Sequence, residues 1–255
     1  MFLTVQGLVI RVKYYNDTDA FLTVLTRDMG RLTVKARGVK RKNSPLIATC
    51  QLLAYCEFTL FENRGYYTIN EAQSIELFMG LRRDLQMLSL GTYFAEVAEL
   101  VCQEDIPDPC LLSLVLNCLY ALSKLELPEA QVKSVFELRV ACLAGYTPNL
   151  DGCFNCGKET AEAFDLSMGH LECVECNIRN GSGIRMPLSI ATLAAMRYIC
   201  TCNEKKLFSF QANRETLQEL SNITESYLTT QLERGFSTLD FYKSLLFHAG
   251  AVNGS

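Results

Sequence analysis

The sequence predicts an α+β protein with several domains, and three observations lead to this prediction. The first eighty residues contain short runs of alternating apolar and polar positions separated by turn residues, as β-strands do. From about residue 81 the apolar residues recur with the period of amphipathic helices. Two C-x2-C pairs, with sixteen residues between them, interrupt these helical segments. We therefore expect an N-terminal five-stranded barrel, followed by an α-helical domain with an inserted four-cysteine ribbon.

The five predicted strands cover residues 5–14, 20–26, 31–37, 49–61 and 66–72. Turn residues separate them, among them Asp17, Gly30 and Gly65. Five strands in a segment of this size suit a small closed barrel, of which the oligonucleotide-binding (OB) type is the commonest.

The helical segments are predicted at 84–103, 109–125, 129–144, 189–200 and 213–233. Pro128 precedes the third segment, Gly145 follows it, and Asn213 is a favourable N-cap for the last. The predicted division is a barrel domain at 1–80, a helical domain at 81–148 and 187–247, a ribbon at 149–186 and a flexible tail at 248–255.

The four cysteines of the ribbon are Cys153, Cys156, Cys173 and Cys176. Their spacing matches a tetrahedral structural zinc site, in which four protein ligands leave no position for water or substrate. Such a metal stabilises a fold and performs no chemistry. An iron site or a redox switch remains as an alternative. Four unrelated thiols are disfavoured, because the segment between the pairs has no apolar core of its own.

Charge is distributed unevenly along the chain. The net charge is −4, yet residues 1–44 hold nine Lys and Arg against three Asp, so the remaining residues carry −10. A basic segment in an otherwise acidic chain indicates a local site for a polyanion.

Strand alternation places several of these cations on one face. In the third strand, Arg31, Lys35 and Arg37 share a face with a spacing of about 6.5 to 7 Å between alternate residues, close to the spacing of phosphates in nucleic acid. Leu32, Val34 and Ala36 then point into the barrel, as do Leu8, Ile10 and Val12 of the first strand. The predicted DNA-binding residues are Arg11, Lys13, Arg31, Lys35, Arg37, Lys40, Arg41 and Lys42.

Two alternatives concern this face. It could be an ordinary solvated sheet surface, although two strands and a loop that are all basic favour phosphate binding. The nearby tyrosines are more often packing residues than platforms for base stacking, and none is assigned as a ligand contact; they are Tyr14, Tyr15, Tyr55, Tyr66 and Tyr67.

The sequence offers no catalytic constellation. Neither of its two histidines, His170 and His248, is placed near a plausible Ser or Cys nucleophile with an orienting acid. The chain also lacks a phosphate-binding loop and a dinucleotide fingerprint. No apolar run reaches the roughly 18 residues that a membrane span needs. With no secretory signal at the start, the eight other cysteines are expected to be reduced thiols in a cytoplasmic protein. We expect a binding protein and not an enzyme.

The strongest motif is A-G-Y-T-P-N-L-D-G-C-F-N-C-G at 144–157. Together with residues 7–11, Thr26, Gly30 and the 36–38 segment before the basic loop, it resembles the RecO family of DNA repair and recombination mediators. Residues 186–189 and 236–241 fit less specifically. The chain departs from the family pattern at Asp17, where glutamate is common, and at Gly169-His170, where a glycine pair is usual.

The resemblance covers the chain to about residue 247 and implies an OB barrel, a helical domain and an inserted zinc ribbon. It also implies binding of single- and double-stranded DNA, annealing of complementary strands, and cooperation with RecR. The expected partners further include the C-terminal tail of single-strand binding protein (SSB) and, indirectly, the RecA recombinase. Arg31 and Arg37 match the family's DNA-binding positions most securely. The implied location is the cytoplasm, at the nucleoid.

Two other classes of protein compete with this interpretation. DNA ligases combine an OB barrel with a four-cysteine zinc site, but the K-x-D-G adenylation motif does not occur in this sequence. An RNA- or ribosome-associated binding module remains open, because a basic barrel face suits RNA as well as DNA.

Overall fold

The computed structural model describes residues 1–180 and 183–252, which belong to two compact units. Unit 1 comprises Met1–Glu126 with Phe236–Ser255, and unit 2 comprises Leu127–Gly235. The predicted boundaries at 80, 148, 186 and 247 stay a prediction, since these units divide the chain at other positions. Helices of the predicted helical domain belong to both units. Among the described residues, none of the helices combines the length and hydropathy that crossing a membrane requires.

A closed five-stranded barrel forms the first part of unit 1, as predicted. Its strands are β1 (Phe2–Tyr14), β2 (Ala20–Thr26), β3 (Arg31–Ala36), β4 (Tyr55–Asn63) and β5 (Tyr66–Glu76). They follow the order β1-β2-β3-β5-β4 around the barrel, with β3 parallel to β5. Residues 49–54, predicted as the start of the fourth strand, form turns instead.

The barrel core shows where strict alternation holds and where it fails. Leu32, Val34 and Ala36 of β3 lie in the core, as predicted. In β1 the core residues are Val5 and Val9, with Val12 packed against them. The prediction that Leu8 and Ile10 point into the barrel is wrong: both are buried, but on the opposite face from Val9, where β1 contacts a helix. An irregularity between Val9 and Arg11 shifts the register and returns Val12 to the core.

Three helices complete unit 1: α1 (Leu85–Val101), α2 (Pro109–Ser123) and α7 (Ser237–Val252). Asp84 and Asp108 cap the first two by accepting backbone N–H groups of the first turn. α1 packs against β1, α2 and α7. α7 continues through residues 248–252, part of the predicted flexible tail, and residues 253–255 lie outside the described residues.

Unit 2 contains α3 (Glu129–Leu143), α5 (Ile190–Thr201) and α6 (Arg214–Gln231), which pack on one another. Gly145 ends α3 with φ +93°, a conformation that favours glycine, and the side chain of Asn213 caps α6, both as predicted. Between α3 and α5 lies the ribbon, so its insertion between helical segments is confirmed.

The ribbon is a small four-stranded sheet with one short helix. Its elements are β6 (Asn149–Cys153), β7 (Ala163–Asp165), β8 (His170–Glu172), α4 (Val174–Asn180) and β9 (Arg185–Pro187). The strand order is β6-β8-β7-β9. Phe164 of β7 is fully buried, and its ring meets that of Tyr227 on α6 edge-on at 5.1 Å. The sheet is thereby anchored to the helices.

A buried ionic network joins α3 to α6. The Lys133 ammonium lies 2.9 Å from carboxylate oxygens of both Glu137 and Glu225, and it donates to Ser221. The hydroxyl of Thr224 donates to Glu137, which is completely buried. Burial raises the pKa of Glu137, and Lys133 opposes this shift. The buried Lys133 ammonium and the buried Glu137 carboxylate therefore compensate each other inside the unit.

Candidate nucleic-acid interface and metal centre

A groove of about 570 Å³ runs along β3 and the β4–β5 hairpin of the barrel. Its cationic lining consists of Arg31, Lys35 and Arg37. The aromatic lining consists of Phe21, Phe61, Tyr66 and Tyr67. Glu104 and Asp105 also line the groove. The groove thus combines positive charge with rings, the two features that a binding site for a single nucleic-acid strand uses.

The register of the barrel aligns cations of two strands. Lys13 on β1 pairs with Phe21 on β2, and Phe21 pairs in turn with Lys35 on β3. These three side chains form one row across the outer face. Thr33, Lys35 and Arg37 are at least partly exposed while Leu32, Val34 and Ala36 are buried, which confirms the predicted outward face of β3.

Two of the predicted binding residues already have acidic partners. Arg11 lies 2.9 Å from Oε1 of Glu99. Arg31 donates to the carbonyl of Glu99 and lies 3.0 Å from the carboxylate of Glu104. Their charge is therefore partly neutralised by α1 and the residues after it, an arrangement that strand alternation does not reveal.

The other six predicted residues differ from this pair: Lys13, Lys35, Arg37, Lys40, Arg41 and Lys42. Within residues 1–180 and 183–252, no carboxylate lies within 4.0 Å of their charged groups. They come from β1, β3 and the loop after β3. This set is available to an external anion.

Aromatic rings orient some of these cations. The Lys40 ammonium lies 4.0 Å from the centre of the Tyr14 ring, and that of Lys35 lies 5.1 Å from the centre of Tyr15. The Tyr15 ring in turn contacts Phe21 at 4.7 Å. Such cation–π contacts hold an ammonium group without neutralising it.

Two groove aromatics, Phe21 and Phe61, were not predicted. Both are large apolar residues at outward positions, with 39% and 42% of their surface exposed. The signal in the sequence was a phenylalanine at a strand position whose two neighbours, or the one before it, are apolar and point inward. Tyr66, at the hairpin, is 79% exposed, the most of the groove aromatics. Tyr55 instead donates a hydrogen bond to Gln6 on the barrel surface.

The basic loop after β3 is tied to the β1–β2 turn. The backbone N–H of Gly38 donates to Asp19 at 2.7 Å, the Tyr15 hydroxyl donates to the same carboxylate, and the N–H of Lys40 donates to the Thr18 carbonyl. The Gly38 hydrogen bond, together with that of Tyr15, holds the pKa of Asp19 well below its usual range. The carboxylate therefore stays charged and keeps the start of the loop in place.

The four predicted metal ligands converge in the ribbon. Cys153 ends β6, Cys156 lies in the following turn, Cys173 follows β8, and Cys176 lies in α4. All four sulfur atoms lie within 4.8 Å of one another, and those of Cys156 and Cys173 are 3.7 Å apart. A tetrahedral zinc site with bonds of about 2.3 Å needs sulfur atoms about 3.8 Å apart. The cluster could therefore hold one metal ion, and its donor set fits zinc.

The pKa values of these thiols show how costly it is to ionise all four of them together without a cation among them. Burial opposes ionisation of Cys153, but hydrogen bonds from the backbone of Cys173, Cys156 and Asn155 lower its pKa to about 6. Burial and the neighbouring sulfur atoms raise the pKa of Cys176 to about 12. Four crowded thiolates require a positive charge at their centre, which a divalent ion supplies.

A second group in the ribbon, Asp165, His170 and Glu172, also has ligand atoms within 4.8 Å of one another. Arg185 forms ion pairs with the two carboxylates of this group: its Nε lies 2.6 Å from Glu172, and its guanidinium lies 3.8 Å from Asp165. Because the guanidinium compensates the carboxylates, we assign this group to the packing of the ribbon and not to a metal.

Comparison with known proteins identifies the family. The model "Recombination protein O N terminal" matches residues 1–78, and "Recombination protein O C terminal" matches residues 82–240. The chain belongs to the RecO family. Among its relatives, a DNA repair protein RecO from Acetivibrio thermocellus is 33% identical over 247 residues, covering 96% of this chain and 97% of the relative. RecO proteins of Dehalococcoides mccartyi and Alkaliphilus metalliredigens are 30% and 27% identical, over 94% and 96% of the chain.

RecO membership confirms the resemblance inferred from the residues around Cys153 and Cys156. The family supports a role in DNA repair and recombination. The RecO relatives are matched over nearly their whole length, so the similarity extends across the barrel, the helices and the ribbon.

Proposed function

We propose that this chain is a non-enzymatic recombination mediator that binds single- and double-stranded DNA through the outer face of its barrel. The observation that carries the proposal is the set of six cations without acidic partners among the described residues, on β1, β3 and the loop after β3. Exposed rings lie between them, and Tyr66 and Phe61 line the same groove.

The geometry suits contact with the backbone more than with base edges. Lys and Arg at alternate strand positions match the spacing of phosphates, whereas sequence readout needs hydrogen-bonding groups placed against each base. Binding by phosphates lowers the repulsion between two strands and leaves their base edges free to pair. Annealing of complementary strands follows from this mode of binding.

The four-cysteine centre is proposed to hold one structural Zn²⁺. When bound, the ion supplies two positive charges to the thiolates of Cys153, Cys156, Cys173 and Cys176. With four protein ligands it leaves no position for substrate, so the ion holds β6, β8 and α4 together.

The partners belong to the same proposal. RecR, the C-terminal tail of SSB and, indirectly, RecA are the expected partners of a mediator that acts on gapped DNA. The chain then acts in the cytoplasm, at the nucleoid.

Charge reversal tests the DNA-binding face. Lys35→Glu combined with Arg37→Glu should weaken binding to a fluorescent single-stranded oligonucleotide by at least about tenfold, because two phosphate contacts become repulsive. The matched control is Lys205→Glu with Lys206→Glu, an equal change of charge at exposed positions of unit 2. Equal affinity of the two double variants would refute the assignment.

Function is tested by annealing of complementary oligonucleotides coated with SSB, at several salt concentrations. The Lys35/Arg37 variant should anneal more slowly than the control variant. Competition with RNA of equal length separates the remaining alternative: a clear preference for RNA would favour an RNA-binding module, because only RNA offers the 2′-hydroxyl.

A further inference from the structure

Outside the metal centre, unit 2 contains a second pair of neighbouring thiols. The sulfur atoms of Cys142, near the end of α3, and Cys200, near the end of α5, are 3.9 Å apart, and both residues are partly exposed. A disulfide has its sulfur atoms about 2.05 Å apart, so the two side chains must move toward each other by roughly 2 Å to form one. In the sequence, Cys200 and Cys202 form a C-x-C pair at the end of a helix, and this spacing alone indicates no function.

The surroundings of the pair favour reaction at Cys142. The guanidinium of Arg139, one turn earlier on α3, donates to the carbonyls of Ile199 and Cys200, which places a positive charge beside the two sulfur atoms. The hydrogen-bonding contact with Cys200, with support from Thr147 and Arg139, lowers the pKa of Cys142 to about 7, whereas the pKa of Cys200 is raised by Cys142 and by burial. Such an asymmetric pair has one thiolate that reacts first and one thiol that resolves the product.

We propose that Cys142 and Cys200 form a reversible disulfide when the protein meets a hydroperoxide. The Cys142 thiolate attacks the terminal peroxide oxygen: an S–O bond forms, the O–O bond breaks, and the leaving oxygen takes a proton and departs as water from hydrogen peroxide or as an alcohol from an alkyl hydroperoxide. The Cys200 sulfur then attacks the sulfur of the Cys142 sulfenic acid: the S–S bond forms, the S–O bond breaks, and the hydroxyl leaves as water with the proton of the Cys200 thiol. The two thiols lose two electrons and the peroxide gains them. A dithiol reductant reverses the reaction by exchange.

The position of the pair gives the disulfide a structural consequence. The chain leaves α3 after Cys142, forms the whole ribbon and returns along α5 to Cys200. A bond between the two closes a loop that contains the four-cysteine centre. Closing this loop lowers the entropy of the unfolded chain, so the folded ribbon and its two flanking helices are more stable when the metal is lost.

The test uses the full chain loaded with zinc and freed of reductant. Brief treatment with hydrogen peroxide, alkylation of the remaining thiols and non-reducing digestion should yield a linked peptide that contains Cys142 and Cys200 and disappears after dithiothreitol. Zinc content is measured in parallel to confirm that the ribbon thiolates are intact. Cys110→Ser, at an exposed cysteine of α2, is the control and should still form the link. Recovery of Cys142 and Cys200 as alkylated thiols, or of Cys142 joined to another cysteine, would overturn the proposal.

A second measurement does not require cysteine mapping. After zinc chelation, the oxidised protein should melt at least about 5 °C higher than the reduced protein, and Cys200→Ser should abolish this difference. Equal melting temperatures of oxidised and reduced protein would contradict the loop-closing role.

Discussion

Arg31 illustrates how a single side chain can differ from what its strand position suggests. Alternation places it on the outer face of β3, and it does line the groove. Its guanidinium nevertheless contacts Glu104 and the carbonyl of Glu99. The exposed fraction of the Arg31 side chain is 25%, compared with 68% for Glu104. The acid thus competes with any phosphate for this cation, and removing the acid is informative.

Glu104→Gln should strengthen binding to single-stranded DNA by roughly two- to fivefold, because an exposed ion pair of this kind is worth up to about 1 kcal/mol. The dependence of log K on log salt should become steeper by about 0.7, the contribution of one further phosphate contact. Fluorescence anisotropy titrations at several salt concentrations measure both quantities. Glu159→Gln, at an exposed position of unit 2, removes the same charge and should change neither.

Tyr66 is the groove aromatic whose substitution is most informative, since most of its surface is exposed. Tyr66→Ala should weaken binding to single-stranded DNA by about 1 to 3 kcal/mol, the value of one stacked base. Tyr66→Phe keeps the ring and should retain the affinity. The comparison is made by anisotropy with oligonucleotides of equal length. A loss in the phenylalanine variant equal to that in the alanine variant would exclude stacking as the cause.

At the level of elements, the ribbon has short strands that the four-cysteine cluster brings together. Its strands β7, β8 and β9 have three residues each, too few to be stable without a cross-link or packing partner. The four sulfur atoms connect β6, the following turn, the end of β8 and α4. A metal ion bound to these four sulfur atoms, as proposed, would cross-link all of these elements.

Removal of the metal should unfold the ribbon. Structural zinc sites contribute about 10 to 16 kcal/mol of apparent binding free energy at pH 7, far more than three-residue strands can supply. Chelation should therefore lower the melting temperature and increase hydrogen exchange of residues 149–180, and added zinc should restore both. Cys156→Ser should behave like the chelated protein, whereas Cys110→Ser should not. Metal analysis must first show that the ion has been removed completely. If the melting curve is then unchanged, the metal has no structural role in the ribbon.

The α3–α6 pair carries a different kind of constraint, the buried contact of Lys133 with Glu137 and Glu225. Lys133→Met leaves a buried carboxylate uncompensated and should cost about 3 to 5 kcal/mol. Glu137 then remains protonated in the folded state, so its pKa is raised above the unfolded value. Stability of the variant should therefore fall as pH rises above the unfolded pKa of about 4.3.

Chemical denaturation at pH 5 and pH 8 measures this loss. The double variant Lys133→Met with Glu137→Leu removes the ammonium and the fully buried carboxylate, leaves only the partly exposed Glu225, and should recover most of the stability at both pH values. If the single variant lost the same amount at both pH values, the proposed titration of Glu137 would be wrong.

At the scale of the whole molecule, the charge pattern reconciles an acidic chain with a polyanion ligand. The isoelectric point is about 5.4, yet the first 44 residues carry a net charge of +6. Acidic residues elsewhere disfavour binding over the general surface and leave the barrel face as the attractive region.

Salt dependence tests this balance on the intact chain. If about five phosphates contact the barrel face on a single strand, log K should fall against log salt with a slope near −3.5. Equilibrium titrations between low and physiological salt measure the slope. The Lys35/Arg37 double reversal should flatten it by at least about 1.4, for two lost contacts. A slope near zero for the unaltered chain would exclude phosphate contacts as the source of affinity.

Local sequence patterns predicted where helices and strands begin when a nearby residue, such as a turn residue or a proline, fixes that position. β2, α2 and α3 begin at the predicted residues, because turn residues, Pro109 and Pro128 mark these starts directly. The convergence of the four cysteines was anticipated because the two thiols of a C-x2-C pair can reach one point from a single turn. α4 was missed, since a seven-residue helix within a ribbon has too few turns to show a period.

Sequence patterns alone were enough to predict the five-stranded barrel, the helical segments, the four-cysteine cluster and the family, because spacing and alternation are properties of neighbouring residues. Only the tertiary structure decided which cations remain available, since Glu99 and Glu104 reach Arg11 and Arg31 from distant positions in the chain. It also decided the face of Leu8 and Ile10, through an irregularity in β1, and the meeting of Cys142 with Cys200. These features depend on contacts between residues far apart in sequence, which no local pattern encodes.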